Sequence, residues 1–345
     1  MKRVASAREG TARELLGART LTVGRRKLFH LIAAAAALPI APRFACAETY
    51  PTRPVRIMVG FAAGSANDIL ARLMAQWLSE RLGQQFIVET RPGANGNLAA
   101  EAVARARADG YTLLLSGSTD AINATLYDNL NFNFMRDIAP VAGIARAPHL
   151  MVVHPSLPAS TVGEFIAYAK ANPGKITMAS AGVGSTSHMS GELFKMMAGI
   201  DMLHVPYRGQ VPALIDLIGG RVQVDFATMP PSIGYVRAGT LRALAVTSST
   251  RSEVLPDVPT VADVLPGYDA STANGLGVPK NTPAEIARIL NEQINAALSD
   301  AKVRAHLADL GGTVLPGSPA EFGELLMQEV DKWSKVVKAS GAKPE

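Results

Sequence analysis

The chain has 345 residues, with 34 Lys+Arg against 29 Asp+Glu and a formal net charge of +5. That excess is local: residues 1–47 hold nine basic and two acidic residues, leaving 25 against 27, a net of −2, for residues 48–345. The body therefore lacks the clustered basic face that nucleic acid requires. At 48% hydrophobic and 18% charged it reads as globular, long enough for two domains of about 150 residues each.

The first 47 residues read as a cleaved export signal. Arg25-Arg26-Lys27 precedes an apolar run from Leu28 to Ile40, and Ala45-Cys46-Ala47 supplies small residues for cleavage near Ala47. The run is too short to span a membrane, which takes about 20 apolar residues. The twin arginines point to the Tat route. Cys46, the sole cysteine, falls inside this leader, so a chain starting near Glu48 has neither thiol nor disulfide. The expected address is the periplasm.

Beyond the leader, Val55–Phe61 reads as a strand, Asn67–Leu82 as a helix and Phe86–Glu89 as a strand. A helix over Asn97–Arg107 and a strand at Thr112–Leu115 follow. This β-α-β-α-β order predicts a parallel sheet with helices on both faces. A second series opens after His154-Pro155. Its helices are expected at 162–171, 187–198, 211–218 and 231–238, its strands at 176–180, 202–205, 222–227 and 241–247. After Pro279 the pattern is helical, at 283–298, 301–310 and 319–339. Thr161…Glu164, Thr282-Pro283…Glu285 and Ser318-Pro319…Glu321 have the form of capping boxes at helix starts.

Two loops have the composition of ligand sites. Phe61-Ala62-Ala63-Gly64-Ser65-Ala66-Asn67-Asp68 leaves a strand and opens a helix, and Ala181-Gly182-Val183-Gly184-Ser185-Thr186-Ser187-His188 does the same in the second unit. Small residues admit a ligand to the backbone, and a helix N-terminus offers unpaired N–H groups with partial positive charge. In open α/β sheets the crevice lies beyond the carboxyl ends of the strands, so the loops are expected to face each other across a cleft. With no Lys or Arg in either, they suit a reversibly held carboxylate better than a polyphosphate. Ser185 as N-cap would put Thr186 at the first helical position, its N–H and hydroxyl toward the ligand. The plain alternative is two well-capped tight turns, since Ser65…Asp68 is itself a capping box.

Signatures of chemistry are missing. Gly182-x-Gly184 lacks the third glycine of a dinucleotide turn, and no phosphate-binding G-x-x-x-x-G-K-[ST] occurs. His149, His154, His188, His204 and His306 include no H-E-x-x-H. There is no G-x-S-x-G, and His188 beside Ser185 and Ser187 reads as a packing residue rather than a base. No enzyme activity, cofactor or metal is expected.

At these loops the chain resembles the substrate-binding proteins of tripartite tricarboxylate transporters, the Bug receptors. The resemblance runs over nearly all of residues 50–340 in ordered blocks. They are Tyr50-Pro51-x-x-Pro54-Val55-Arg56, the strand–loop–helix at 57–72, Leu82-Gly83-Gln84, Glu89-Thr90-Arg91-Pro92-Gly93-Ala94 and Asp109-Gly110-Tyr111-Thr112-Leu113-Leu114. Val205-Pro206-Tyr207-Arg208-Gly209, Leu241–Thr247 and Leu255-Pro256-Asp257-Val258-Pro259-Thr260 complete the series.

The resemblance implies a type II periplasmic binding fold of two doubly wound α/β domains joined by a two-crossing hinge. Residues 48–149 with 272–345 would form the first domain and 150–271 the second. The implied ligand is a small organic carboxylate, held against the first loop through Phe61, Ala63, Gly64, Ser65, Asn67 and Asp68, often by way of ordered water. Further contacts would come from Ser116, Ser118 and Thr119 after the third strand and from Gly184, Ser185, Thr186 and His188. Tyr207, Arg208, Asp225 and Thr228 complete the expected set. Two departures stand out: Gly64-Ser65-Ala66-Asn67 where the family has consecutive glycines, and Gly93-Ala94-Asn95-Gly96 where it has Gly-Ala-Gly-Gly. The reading is a monomeric receptor that closes on its ligand and passes it to membrane transporter subunits, or alternatively to a sensor kinase; an enzyme on the same bilobal fold is the weaker rival.

Overall fold

The computed structural model describes residues 50–344, so the expected leader lies outside the described residues. Two sheets organise the chain. The first has the order β11-β4-β10-β3-β1-β2, from Thr313–Val314, Ile138–Ala147, Thr272–Pro279, Thr112–Gly117, Val55–Val59 and Phe86–Thr90. The second runs β7-β6-β8-β5-β9, from Leu203–Pro206, Thr177–Ser180, Val224–Thr228, His149–Val153 and Arg242–Val246. The chain passes from the first sheet to the second between β4 and β5, and returns between β9 and β10.

Alternation along each strand loads both faces of the first sheet. Val55, Ile57 and Val59 of β1 and Leu113 and Leu115 of β3 pack against helix α1 (Ala66–Leu82), through Leu70, Met74 and Leu78, and against the helix Ala284–Ser299. Met58 and Leu114 point the other way, onto the helix Asn97–Ala104 and onto Phe322 and Leu326 of the last helix, Pro319–Ser340. The C-terminal half of that last helix does not stay with the first sheet. Trp333, Val336 and Val337 join the core of the second sheet, beside Phe165, Phe194 and Phe226. Ile122 and Leu126, from the helix Ser118–Leu126, join the same cluster.

The sheets are mixed, which corrects the expectation of parallel ones. Strand β10 lies antiparallel to both β3 and β4, and β5 antiparallel to both β8 and β9. The strands that make the crossings impose this, because a segment leaving one lobe for the other enters its new sheet reversed. Of the three capping boxes, Ser318 and Glu321 form theirs, Glu321 N–H donating to Ser318 Oγ at 3.2 Å and Ser318 N–H to the Glu321 carboxylate at 2.6 Å. Thr161 caps Glu164 N–H at 3.1 Å, but the Glu164 carboxylate reaches Ser160 N–H instead. The Thr282 box does not form: its hydroxyl donates to Pro279 O at 2.7 Å, and Pro283 takes the cap position.

Candidate functional site

The first strand-to-helix turn is held by its own side chains. Ser65 caps α1 by accepting from Asp68 N–H at 3.3 Å, and Asp68, 3% exposed, accepts from Gly64 N–H at 2.8 Å. Burial pushes the Asp68 carboxyl up, but the Arg72 bond at 3.0 Å and the Gly64 amide leave it below its usual range. Asp68 is therefore a cap, and Ala63, Gly64 and Ser65 form the rim, the first two exposed. The amides of Ala66 and Asn67, at the first two helical positions, have no acceptor within the helix.

Behind this rim is a cavity of about 10 Å³, the size of one water. It is lined by Phe61, Asn67, Asn95, Ser116, Thr119 and Asp120 among others, so four residues singled out in the sequence meet here. Ser116 is 2% exposed and its hydroxyl has no hydrogen-bond partner within the protein. Asp120 accepts from Gly117 N–H at 2.9 Å, and burial pushes its carboxyl up to about 7. Ser118 is turned away, accepting from Ala273 N–H at 2.9 Å.

The second turn is more heavily bonded. Ser185 caps the helix α6 (Thr186–Ala198), accepting from His188 N–H at 3.2 Å. Gly184 N–H donates to His188 Nδ1 at 3.1 Å, and Ala181 N–H to Ser187 Oγ at 2.9 Å. Thr186 does occupy the first helical position, but its hydroxyl is not aimed at a ligand: it lies 3.1 Å from His149 Nε2. His149 Nδ1 faces Ala270 O at 3.2 Å, and burial pushes the imidazole down to about 4. His188 stacks on His204 with centroids 3.6 Å apart, and its Nε2 lies 3.6 Å from Glu192. Burial, then the neighbouring His188, pushes His204 down to about 3. His188 is thus a packed, bonded residue that shapes its own loop.

The remaining expected residues gather elsewhere in the second lobe, around Gln210. Its side chain donates to Asp225 and accepts from Thr228 N–H at 3.3 Å. Asp225 is fully buried, its Oδ1 has no protein partner, and burial pushes the carboxyl up to about 8. Tyr207 donates its hydroxyl to Asp216 at 2.7 Å, and Arg208 is exposed. These four do not reach the cavity of the first lobe.

The second turn is reached from the first lobe by a residue outside the expected set, Asn95. Asn95 Nδ2 donates to Gly184 O at 2.8 Å, across the lobes, and to Asn123 Oδ1 at 2.8 Å. A Cβ at Gly184 would overlap Leu126, and its φ of +75° favours glycine in any case. Asn95 left a trace in the sequence, as an asparagine within a glycine-rich turn, but nothing there told a lobe-to-lobe donor from a turn former.

Comparison with known proteins agrees with this architecture. The profile of the family described as tripartite tricarboxylate transporter family receptor matches residues 70–342. Protein BugT of Bordetella pertussis (strain Tohama I) is 37% identical over 300 residues, 86% of this chain and 92% of its own. Rpa4515 of R. palustris, solved with adipate, shares 38% identity at a TM-score of 0.80, over 86% of this chain and 100% of its own. MatC of Rhodopseudomonas palustris, with bound malate, shares 32% identity at a TM-score of 0.77, over 84% of this chain and 100% of its own. A shared two-lobed frame at this level of identity, together with a family match over most of the chain, fixes the assignment: the chain belongs to the tripartite tricarboxylate transporter receptor family, with the periplasmic binding fold of the Bug proteins.

Proposed function

We propose that this protein is an exported receptor that closes its two lobes on a small organic dicarboxylate and delivers it, unchanged, to a tripartite tricarboxylate-type transporter. The observation that carries the reading is the hydrogen bond from Asn95, in the turn packed against Gly60 and Phe61, to Gly184 O of the second strand-to-helix turn, neither strand-to-helix turn containing Lys or Arg. One carboxylate would sit at the rim against the amides of Ala66 and Asn67, reached from Ser116, Thr119 and protonated Asp120 through the single water that the cavity behind the rim can hold. The other would take the amides that open α6, at Thr186 and Ser187, where the helix dipole favours an anion. Asp225, Tyr207, Arg208 and Thr228 would act on the far end of longer ligands. Adipate and malate, bound by the relatives described above, set the size range to try first. The chain from about residue 48 would work in the periplasm, residues 48–149 with 272 to the middle of the last helix moving against 150–271, on which Trp333, Val336 and Val337 are packed.

A thermal-shift panel of mono- and dicarboxylates, aromatic acids and amino acids tests this. A true ligand at 100 times its Kd stabilises by roughly 2.7 kcal/mol, a clear rise in Tm. A panel in which amino acids or aromatic acids shift Tm and dicarboxylates do not would reassign the substrate class.

A further inference from the structure

The turn that carries Asn95 is built as a rigid bracket on the first lobe. Residues 93–96 all have positive φ, including Ala94 at 46° and Asn95 at 50°. Asparagine tolerates this region better than other side chains except glycine. The bracket is pressed against the end of β1, where a Cβ on Gly60 would come within 2.5 Å of Gly96 Cα. It is tied to the helix Ser118–Leu126 by Asn123, whose Nδ2 donates to Asn95 O at 2.9 Å and to Asn97 Oδ1 at 3.1 Å. Because Asn95 O is a backbone carbonyl, Asn123 must present its amide nitrogen there and its Oδ1 to Asn95. Asn95 in turn must present N–H, since Gly184 O and Asn123 Oδ1 are both acceptors.

On the second lobe the Gly184 peptide is gripped from its own side, its N–H donating to His188 Nδ1 at 3.1 Å. One residue therefore has its N–H fixed by α6 and its carbonyl fixed by the opposite lobe, which pins the two peptide planes on either side of it. We propose that Asn95 is a positioning residue for closure: its amide latches Gly184 O, holding the second turn at the spacing from the first that the ligand requires. Asn95 also lines the first-lobe cavity, but its amide N–H groups are committed to Gly184 O and Asn123 Oδ1, so its action runs through Gly184. The inference rests on the closure reading above and adds a specific latch to it. Its thermodynamic sense follows from population shift. A contact made only between closed lobes raises the closed fraction, and apparent affinity scales with the fraction that is competent to hold ligand.

Asn95→Gly separates the latch from a merely structural role, because glycine accepts a φ of +50° more readily than asparagine and so leaves the turn intact. Asn95→Asp keeps the shape but turns an oxygen on two acceptors. Asn281→Gly, at another left-handed asparagine on the exposed turn before the helix Ala284–Ser299, is the control. Spin labels at Gln76→Cys and Lys170→Cys, exposed positions on opposite lobes, in a Cys46→Ser background, report lobe separation without any ligand. Both Asn95 variants should give longer or broader distances than the parent at an unchanged Tm for Asn95→Gly, and Asn281→Gly should match the parent. With adipate or malate as probe, affinity should fall roughly three- to tenfold, the range of one net hydrogen bond, expressed in a faster koff. If neither probe binds the parent, the dicarboxylate reading fails while the distance measurement still decides the latch. Parent-like distances in both variants overturn the proposal. So does an Asn95→Gly protein that melts lower yet keeps the parent's distances, since Asn95 would then only scaffold its own turn.

Discussion

Arg146 and Glu329 meet at 3.6 Å where the two lobes join. Arg146 lies at the end of β4, one step before the first crossing, and its other nitrogen is 3.8 Å from Asp269, just before the chain returns through β10. One guanidinium thus ties both hinge segments to the last helix. Glu329, only 3% exposed, is also held by Lys332 at 2.7 Å and by the Trp333 indole N–H at 2.8 Å.

Glu329→Ala should destabilise the fold by about 2–4 kcal/mol, because it removes the carboxylate shared by Arg146, Lys332 and the buried Trp333 indole N–H. Glu329→Gln keeps an acceptor for Trp333 and should recover part of that loss. Urea unfolding of both variants reads the difference, and equal losses would show that the indole bond contributes nothing.

Stability should depend on pH through four buried groups of opposite sign. Asp120 and Asp225 are raised to about 7 and 8 from 3.8, so the folded state keeps protons that the unfolded chain has released. Their contribution is full below the unfolded value and is lost as pH climbs to 8. His149 and His204 are lowered to about 4 and 3 from 6.5, and their contribution is lost as pH falls below 6.5. Between pH 6.5 and 8 only the carboxyls act, so Tm should drop there and level off above 8. Asp225→Asn should remove most of the slope above pH 7, worth about 1.4 kcal/mol. A slope that survives in Asp225→Asn would place the buried proton elsewhere.

Ligand binding should carry its own pH signature. Protonated Asp120 can donate, through the one water its cavity holds, to a carboxylate at the rim, whereas the ionised form repels one. Affinity for a dicarboxylate should therefore weaken above pH 7, by up to about tenfold per pH unit. Asp120→Asn retains an acceptor for Gly117 N–H and should flatten the profile. Calorimetric titrations from pH 6 to 9 check both, and a flat parent profile would remove Asp120 from the site.

Much of this fold is legible in the sequence where local signals agree. The helix expected over Asn67–Leu82 lies at Ala66–Leu82, because Ser65 caps it and Gly83 closes it with a φ of 71°. Strands β4 and β10 carry no such signal. Ala139, Pro140 and Gly143 in one and Gly275, Gly277 and Pro279 in the other are poor strand formers. They hold because they pair with each other and because Gly275 leaves room beneath Phe322. The candidate site shows the same division. Its capped turns are written in local sequence, but the Asn95–Gly184 bond joins residues that only the tertiary fold brings together.

Gly184→Ala should impair closure more than stability. Its Cβ would overlap Leu126, which the first-lobe helix Ser118–Leu126 inserts into the core of the second sheet, and alanine resists a φ of +75°. Small-angle scattering with saturating ligand should show a larger radius of gyration than the parent, partly restored by adding Leu126→Ala. An unchanged radius would mean that Leu126 yields without cost.

The most direct measurement is calorimetric titration of the exported protein with adipate and malate, followed by mass spectrometry of the released ligand. Saturable one-to-one binding of a dicarboxylate, recovered unchanged, is the predicted result. Dicarboxylates that fail to bind at millimolar concentration, or that come off chemically altered, would contradict the receptor reading.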